Sequence, residues 1–457
     1  MVNLFISFTS GILLSGAFAP RSLWWLAPVA LSLHMYSLKI CTKPLLNAFV
    51  FALGFNSIAL HWTSVYVGAT PWIVLFVGQS FLFVPLGFAK RHGISFYPLI
   101  FLILEELRSR FPFGGFGWLR LAFSQADAPY RNIAAYGGVS ALSATVLCCA
   151  LVLFTTFNRK ISVIPLLPLF ILFTSLSVTP IASTKVLMVQ GDVPQLGLDF
   201  NSRAAAVFNN HVQETKKALA EDSDVDFILW PENAVDVDPF THKSVGDALD
   251  SFDKPLVVGA VIRSQGQLRN VSIAWTKESH NVYIKQHLTP FGEYIPLRSI
   301  AEKISSLASD IEDFSPGNSS TVFRINQATV APVICFELID DEILSRAAVN
   351  SQLIVVQTNS ATFGTSPESA QQLEISRVRA IEHGRNILSV STTGISAIID
   401  YHGTVSQKTS MHVPAHIFAD VSLIGGRTPR DKAGDWALIG TGFWLLMVGK
   451  ARRSRYT

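Results

Sequence analysis

Apolar residues crowd into the first 180 positions and return near the carboxyl end, whereas residues 185–435 alternate short apolar runs with polar and charged stretches. Seven apolar segments precede the polar region, at residues 4–19, 23–38, 45–67, 72–89, 94–107, 139–157 and 161–178, and an eighth covers 436–448. Each approaches the roughly 20 residues a helix needs to cross a hydrocarbon core of about 30 Å, the second, fifth and eighth being short. This pattern predicts a polytopic α-helical membrane domain over residues 1–180, an α/β domain over 181–435, and a last membrane helix with a basic tail over 436–457.

Within the polar region the runs KVLMVQGDV, DFILWPENA, PLVVGAVI, VSIAWT, NVYIKQHL, TVAPVICFE, LIVVQTN, ILSVSTTG and ISAIIDYHG read as strands, and residues 203–221 and 371–383 as amphipathic helices. Strands alternating with helices imply an α/β domain, and adjacent strands joined at polar turns imply that its sheets are partly antiparallel. The stretch GGRTPRDKAGD at 425–435 reads as a polar linker into the last span. Over residues 297–311, Leu297, Ile300, Ile304, Leu307 and Ile311 recur at helical spacing. That pattern predicts an amphipathic helix which either covers the core or rests on lipid as a lid. The loop at 108–132, rich in glycine and aromatics, reads either as an interfacial aromatic belt or as the wall of a lipid-facing cavity.

Composition strengthens the membrane reading. Only 15% of the 457 residues are charged and 49% are hydrophobic, where an ordinary soluble domain carries about a quarter charged. The net charge of +3 is dispersed, with no basic stripe interleaved with aromatics, so nucleic acid is not an expected partner. Lys39, Lys43, Lys90, Arg91, Arg159, Lys160, Lys450, Arg452, Arg453 and Arg455 fall in alternate loops or the tail, against Arg21, Arg108, Arg110, Arg120 and Arg131 in the others. By the positive-inside rule the first set is cytoplasmic, which predicts an extracytoplasmic polar domain after seven spans. Ala17-Phe18-Ala19 looks like a signal-peptidase site, but no positive charge precedes its apolar run, and the segment is expected to remain as an anchor.

Cys41, Cys148 and Cys149 lie in or beside apolar segments, where cysteine acts as a small hydrophobe, and only Cys335 belongs to the polar domain. No CxxC or HExxH spacing occurs, so neither a metal nor another cofactor is expected. Cys335 ends the apolar run TVAPVI and is followed by residues with helical periodicity, a position where backbone N–H groups and a helix dipole would favour thiolate. Glu232 after FILWP and Lys285 after VYI stand at two further strand ends. Taken singly, a Glu or Lys is more often a surface residue, and a lone Cys more often structural. If the three meet at the carboxyl ends of neighbouring parallel strands, the carboxylate can take the thiol proton, the thiolate can attack a carbonyl and the ammonium can steady the oxyanion.

The motifs WPENA, YIKQHLTPFGEYIP and VICFE, in this order, resemble the Glu, Lys and Cys motifs of the nitrilase superfamily. With PFGEYIP between apolar flanks, and with VQGDVPQ, LEELRSRFPFGGFGWLRLAFSQAD and SRVRAIEHGRN, nearly the whole chain is similar to the bacterial apolipoprotein N-acyltransferases. The resemblance implies a nitrilase-like α-β-β-α sandwich with Glu232 as general base, Lys285 as oxyanion stabiliser and Cys335 as nucleophile. It further implies that Glu293, Phe336 and Glu337 bind substrate or assist the site, pinning of loops being an equal reading for the two glutamates. Ser360 and Thr362, in TNSATFG, depart from the Asp and Trp that many members carry. The implied activity is transfer of a fatty acyl chain from a membrane phospholipid to the α-amine of the N-terminal diacylglyceryl-cysteine of an apolipoprotein. The enzyme would be a multi-pass protein of the bacterial cytoplasmic membrane, with its catalytic domain on the outer face. The alternative is a membrane-tethered nitrilase-like amidase acting on a small carbon–nitrogen substrate.

Overall fold

The computed structural model describes residues 2–157, 165–166, 178–193, 204–299 and 312–453. The chain forms two compact units: residues 1–177, 366–382 and 427–457 make the first, residues 178–365 and 383–426 the second.

In the first unit, helices run over Val2–Ser15, Leu26–Ile40, Pro44–Ala59, Ala69–Leu82, Tyr97–Arg108, Ala134–Phe157 and Trp436–Arg453. Two stretches, Ala69–His92 and Arg131–Thr156, are long and apolar enough to cross a membrane, while Val2–Ser15, Pro44–Ala59 and Trp436–Lys450 are shorter apolar helices. The expected seventh span at 161–178 lies almost wholly outside the described residues, as does most of the amphipathic segment at 297–311. Polar side chains bridge the apolar helices: Asn47 donates to Ser37 Oγ at 2.9 Å and to the Asn3 carbonyl at 3.2 Å, and Ser7 donates to the Asn47 carbonyl at 2.7 Å. The helix Glu368–His383 contributes most of its length to this unit. Its buried Gln371 donates to the carbonyls of Ala19 and Ala59 and accepts from Trp118 Nε1 at 2.8 Å, so every polar atom of that amide has a use.

The second unit is an α/β domain built on two six-stranded sheets. The first contains β1 (Val178–Gln190), β2 (Phe227–Leu229), β3 (Leu256–Ser264), β4 (Gln267–Trp275) and β5 (His280–Ile284); the second contains β6 (Phe323–Ile325), β7 (Ala328–Ile334), β8 (Leu353–Thr358), β9 (Asn386–Ser391), β10 (Ala397–Ile399) and β11 (Val405–Lys408). The last strand, β12 (Ala415–Gly426), returns to the first sheet, giving the orders β12-β1-β2-β3-β4-β5 and β11-β10-β9-β8-β7-β6. In each sheet three central strands are parallel, β1-β2-β3 and β7-β8-β9, and the outer strands are antiparallel. The parallel strands read as continuous apolar runs because both of their faces are covered.

Alternation along the strands sorts side chains between two cores. Val186, Met188 and Leu229 from the first sheet meet Val330, Val355 and Leu388 from the second in one core between the sheets. Leu187, Val189, Ile228 and Val258 point the other way and pack with Phe208 and Ala218 of the helix Ala204–Glu221 and with Leu249 of the helix Lys243–Asp250. On β4, Ala274 belongs to the core between the sheets and Val271, Ile273 and Trp275 to the outer one, which puts Asn270 and Ser272 on the inner face.

Candidate active site

The turn after β2 carries Glu232, and it is anchored on both sides. Trp230 donates through Nε1 to Thr215 Oγ1 at 2.9 Å, and its carbonyl accepts from Gln357 Nε2 of β8 at 2.7 Å. Gly259 of β3 lies directly beneath: a Cβ there would sit 2.4 Å from the Pro231 oxygen and 2.5 Å from the Glu232 Cα. Contacts that short are not tolerated, so the absence of a side chain at 259 lets the Glu232 backbone rest on the sheet. The carboxylate is thereby directed inward, and Glu232 is 4% exposed.

Lys285 directly follows β5. Its N–H donates to the Asn270 carbonyl at 2.9 Å and its carbonyl accepts from Gly317 N at 2.8 Å, so the backbone is held on both sides while the side chain turns inward, 1% exposed. The ammonium lies 3.2 Å from Glu232 Oε1 and 2.8 Å from Glu293 Oε2. Glu293, in the PFGE turn, also accepts from Thr289 N at 2.7 Å through Oε2. Asn270 joins the two acids: its Nδ2 donates to Glu232 Oε1 at 2.8 Å and to Glu293 Oε1 at 2.6 Å. Nothing in the sequence distinguishes this asparagine from any polar residue in a strand. Its inward face on β4 is the one available clue, and that face is known only once the sheets are paired.

The three charges divide unequally. Burial works against the charge of Lys285, but Glu232, Glu293 and a thiolate at Cys335 outweigh it and hold the lysine well above its ordinary pKa. Burial also opposes ionisation of Glu293, yet the Lys285 ammonium, the Thr289 N–H and Asn270 prevail and bring it below the usual carboxylate range. At Glu232 burial dominates, the Glu293 charge adds to it, and the pKa is raised despite Lys285. Glu293 is thus the more closely paired of the two acids with the lysine, at 2.8 Å against 3.2 Å for Glu232.

Cys335 is the first residue after β7 and has φ +49°, a left-handed conformation that L-residues rarely adopt. A 3₁₀ turn, Cys335–Ile339, comes next, and the α-helix starts only at Asp341. Asp340 sets that start, its side chain accepting from Glu342 N at 2.9 Å and Ile343 N at 3.0 Å as an N-cap. The sequence-based expectation of an α-helix starting directly at the thiol is corrected accordingly, and the Lys285 ammonium is a positive group whose charge couples to Cys335.

Glu337 lies wholly buried and accepts from Tyr283 Oη at 2.7 Å, Gln286 N at 2.6 Å and Ile334 N at 2.8 Å. It ties the chain just after Lys285 to the chain just before Cys335, and its bonds favour the pinning reading. Burial pushes its pKa up against those bonds. Phe336 is buried with its ring edge-on to His287, centroids 5.1 Å apart, and His287 Nδ1 lies 3.0 Å from Asp340 Oδ2. Ser360 is buried, its Oγ 3.5 Å from Ser391 Oγ.

The expected meeting place is also corrected. Glu232 and Lys285 belong to one sheet but are separated by β3 and β4, and Cys335 comes from the other sheet. The site is built across two facing sheets rather than along neighbouring ends of one, because strand periodicity carries no information on which strands pair. Among the described residues no group of three or more His, Cys, Asp and Glu side chains could hold a metal ion.

Residues 188–424 match the carbon-nitrogen hydrolase family, and residues 10–152 match the apolipoprotein N-acyltransferase N-terminal domain. A solved structure with a similar fold is Nit3 of Saccharomyces cerevisiae, a member of branch 10 of the nitrilase superfamily, at 15% identity and TM-score 0.40 over 53% of this chain and 91% of that one. An apolipoprotein N-acyltransferase of Mycolicibacterium smegmatis is 30% identical over 98% of this chain and 85% of its own length. One of Photobacterium profundum is 25% identical over 98% of this chain and 94% of its own. With both domains matched and relatives aligned almost from end to end, the chain belongs to the apolipoprotein N-acyltransferase family.

Proposed function

We propose that the protein acylates apolipoproteins through a thioester on Cys335, with a membrane phospholipid as donor. The observation that carries this reading is the Lys285 ammonium, buried between Glu232 and Glu293 and coupled in charge to Cys335. Glu232 removes the thiol proton, and sulfur attacks the phospholipid ester carbonyl. Lys285 steadies the oxyanion, the ester C–O bond breaks, and the lysophospholipid oxygen leaves with the proton returned by Glu232. The neutral α-amine of the diacylglyceryl-cysteine then attacks the thioester, its N–H proton passes to Glu232 and on to the departing sulfur, and an amide remains. Glu293 keeps Lys285 charged, while Phe336 and Glu337 shape the turn that presents the thiol. Intact mass after exposure to phospholipid vesicles should rise by one acyl chain and return to its starting value with neutral hydroxylamine. An unchanged mass, with transfer proceeding, would overturn the covalent reading.

The membrane setting belongs to the same proposal. Residues 1–180 form a polytopic domain in the bacterial cytoplasmic membrane, residues 181–435 the catalytic domain outside it, and 436–457 a last span with a cytoplasmic tail. The apolar helices and the asymmetry of Lys and Arg support this arrangement. It also answers an energetic need, since each buried CH₂ moved from lipid into water costs about 0.8 kcal/mol and both substrates carry long chains. Reporter fusions after Ser183 and after Thr457 should lie on opposite sides of the membrane. Finding both on one side would remove a span from this topology.

A further inference from the structure

We propose that Asn270 is a positioning residue that keeps Glu232 ionised beside Glu293, and so free to take the thiol proton. The inference rests on the reading of Cys335 as nucleophile. Asn270 is 1% exposed on the inner face of β4, and its single Nδ2 group spans both carboxylates, at 2.8 Å and 2.6 Å. Its backbone carbonyl accepts the Lys285 backbone N–H at 2.9 Å, so the residue that bridges the two acids also fixes the chain from which the lysine side chain projects. The orientation of the amide follows from its neighbours, because two carboxylate oxygens require its N–H groups to face them. Its Oδ1 is then buried with no hydrogen-bond partner among the described residues. A buried acceptor left in that state opposes folding, and an apolar residue of similar size would fill the space without it. The asparagine is thus explained by its two N–H donors and not by packing.

Those donors act differently on the two acids. Glu293 already has the nearer contact to Lys285 and the Thr289 N–H, and it stays ionised without Asn270. Among the described residues Glu232 has, besides the amide, the longer Lys285 contact. The charged group facing this pair is Lys285 from the end of β5, whose own charge couples to Cys335 in the turn after β7 and to Glu337 in the same turn. Loss of the amide therefore raises the proton affinity chiefly of Glu232. The sign follows: with the base protonated up to a higher pH, thiol deprotonation begins later, and the acid limb of acylation moves up.

The test is the pH profile of single-turnover acylation of the full-length protein in phosphatidylethanolamine vesicles, read by mass. Asn270→Ser should move the acid limb up by about one pH unit, the scale of one hydrogen bond to a charged group, with the rate recovering at high pH to near that of the unmodified protein. Asn270→Asp, which replaces the donors with a third negative charge, should move it further in the same direction. A rate that falls equally at every pH in both variants, with the limb in place, would reduce Asn270 to packing and overturn the assignment; so would a limb moved down in Asn270→Asp. Absence of acylation in the unmodified protein would instead remove the nucleophile assignment, and this inference with it.

Discussion

Replacing Cys335 by alanine should abolish the acyl-enzyme and transfer to the lipoprotein amine alike, whereas Cys335→Ser should hold the acyl group as a slowly aminolysed ester. The first effect follows from loss of the nucleophile and the second from leaving-group chemistry: a thiolate departs readily under attack by an amine and an alkoxide does not. The structure adds a stability component that separates catalytic from structural roles. Cys335 sits at φ +49°, where a residue with a Cβ is strained by about 1–2 kcal/mol. Alanine keeps that strain and should leave the melting temperature nearly unchanged. Cys335→Gly removes it and should raise the melting temperature while eliminating activity, a gain of order 1 kcal/mol. Thermal unfolding in detergent with and without the substitution measures this directly. A variant lacking the thiol that still released lysophospholipid and acylated lipoprotein at normal rates would make the cysteine structural.

The second large effect should come from Lys285→Met, which removes the positive charge from between two buried carboxylates. One oxyanion donor is worth about 10² to 10³ in rate. The remaining loss is of stability: stripping one partner from a buried ion pair costs about 3–5 kcal/mol, and here two acids are left facing each other. That cost depends on pH with a definite sign. In the unmodified protein Glu293 lies below its unfolded value, so its contribution is present above that value and fades as pH falls through the folded one. In the variant, like charges and burial raise both acids above their unfolded values, so its stability falls as pH rises from the unfolded carboxylate range through the raised folded values. The gap in melting temperature between the two proteins should be wide at pH 8 and close as pH approaches the ordinary carboxylate range. A gap independent of pH would mean that Lys285 does not neutralise this pair. Asn270→Ser, by comparison, should move the pH profile without this loss.

The sequence by itself determined the division into apolar and mixed-polarity regions, the order of strands and helices in the α/β domain, and the strand-end positions of Glu232, Lys285 and Cys335. These are local properties: hydropathy, period-two alternation and the change from apolar run to polar turn are all written within about ten residues. The tertiary structure decided what depends on pairing between distant segments. It set β5 two strands away from β3 and put β7 in the opposing sheet. It made Glu293 rather than Glu232 the nearer partner of Lys285, brought Gly259 under Glu232, and turned Asn270 onto both acids. It also gave most of the helix Glu368–His383, which the sequence reads as part of the polar region, to the first unit through buried Gln371. The physical reason is the same throughout: alternation assigns a side chain to one of two faces, but only the hydrogen-bonded register between strands far apart in sequence decides what that face meets.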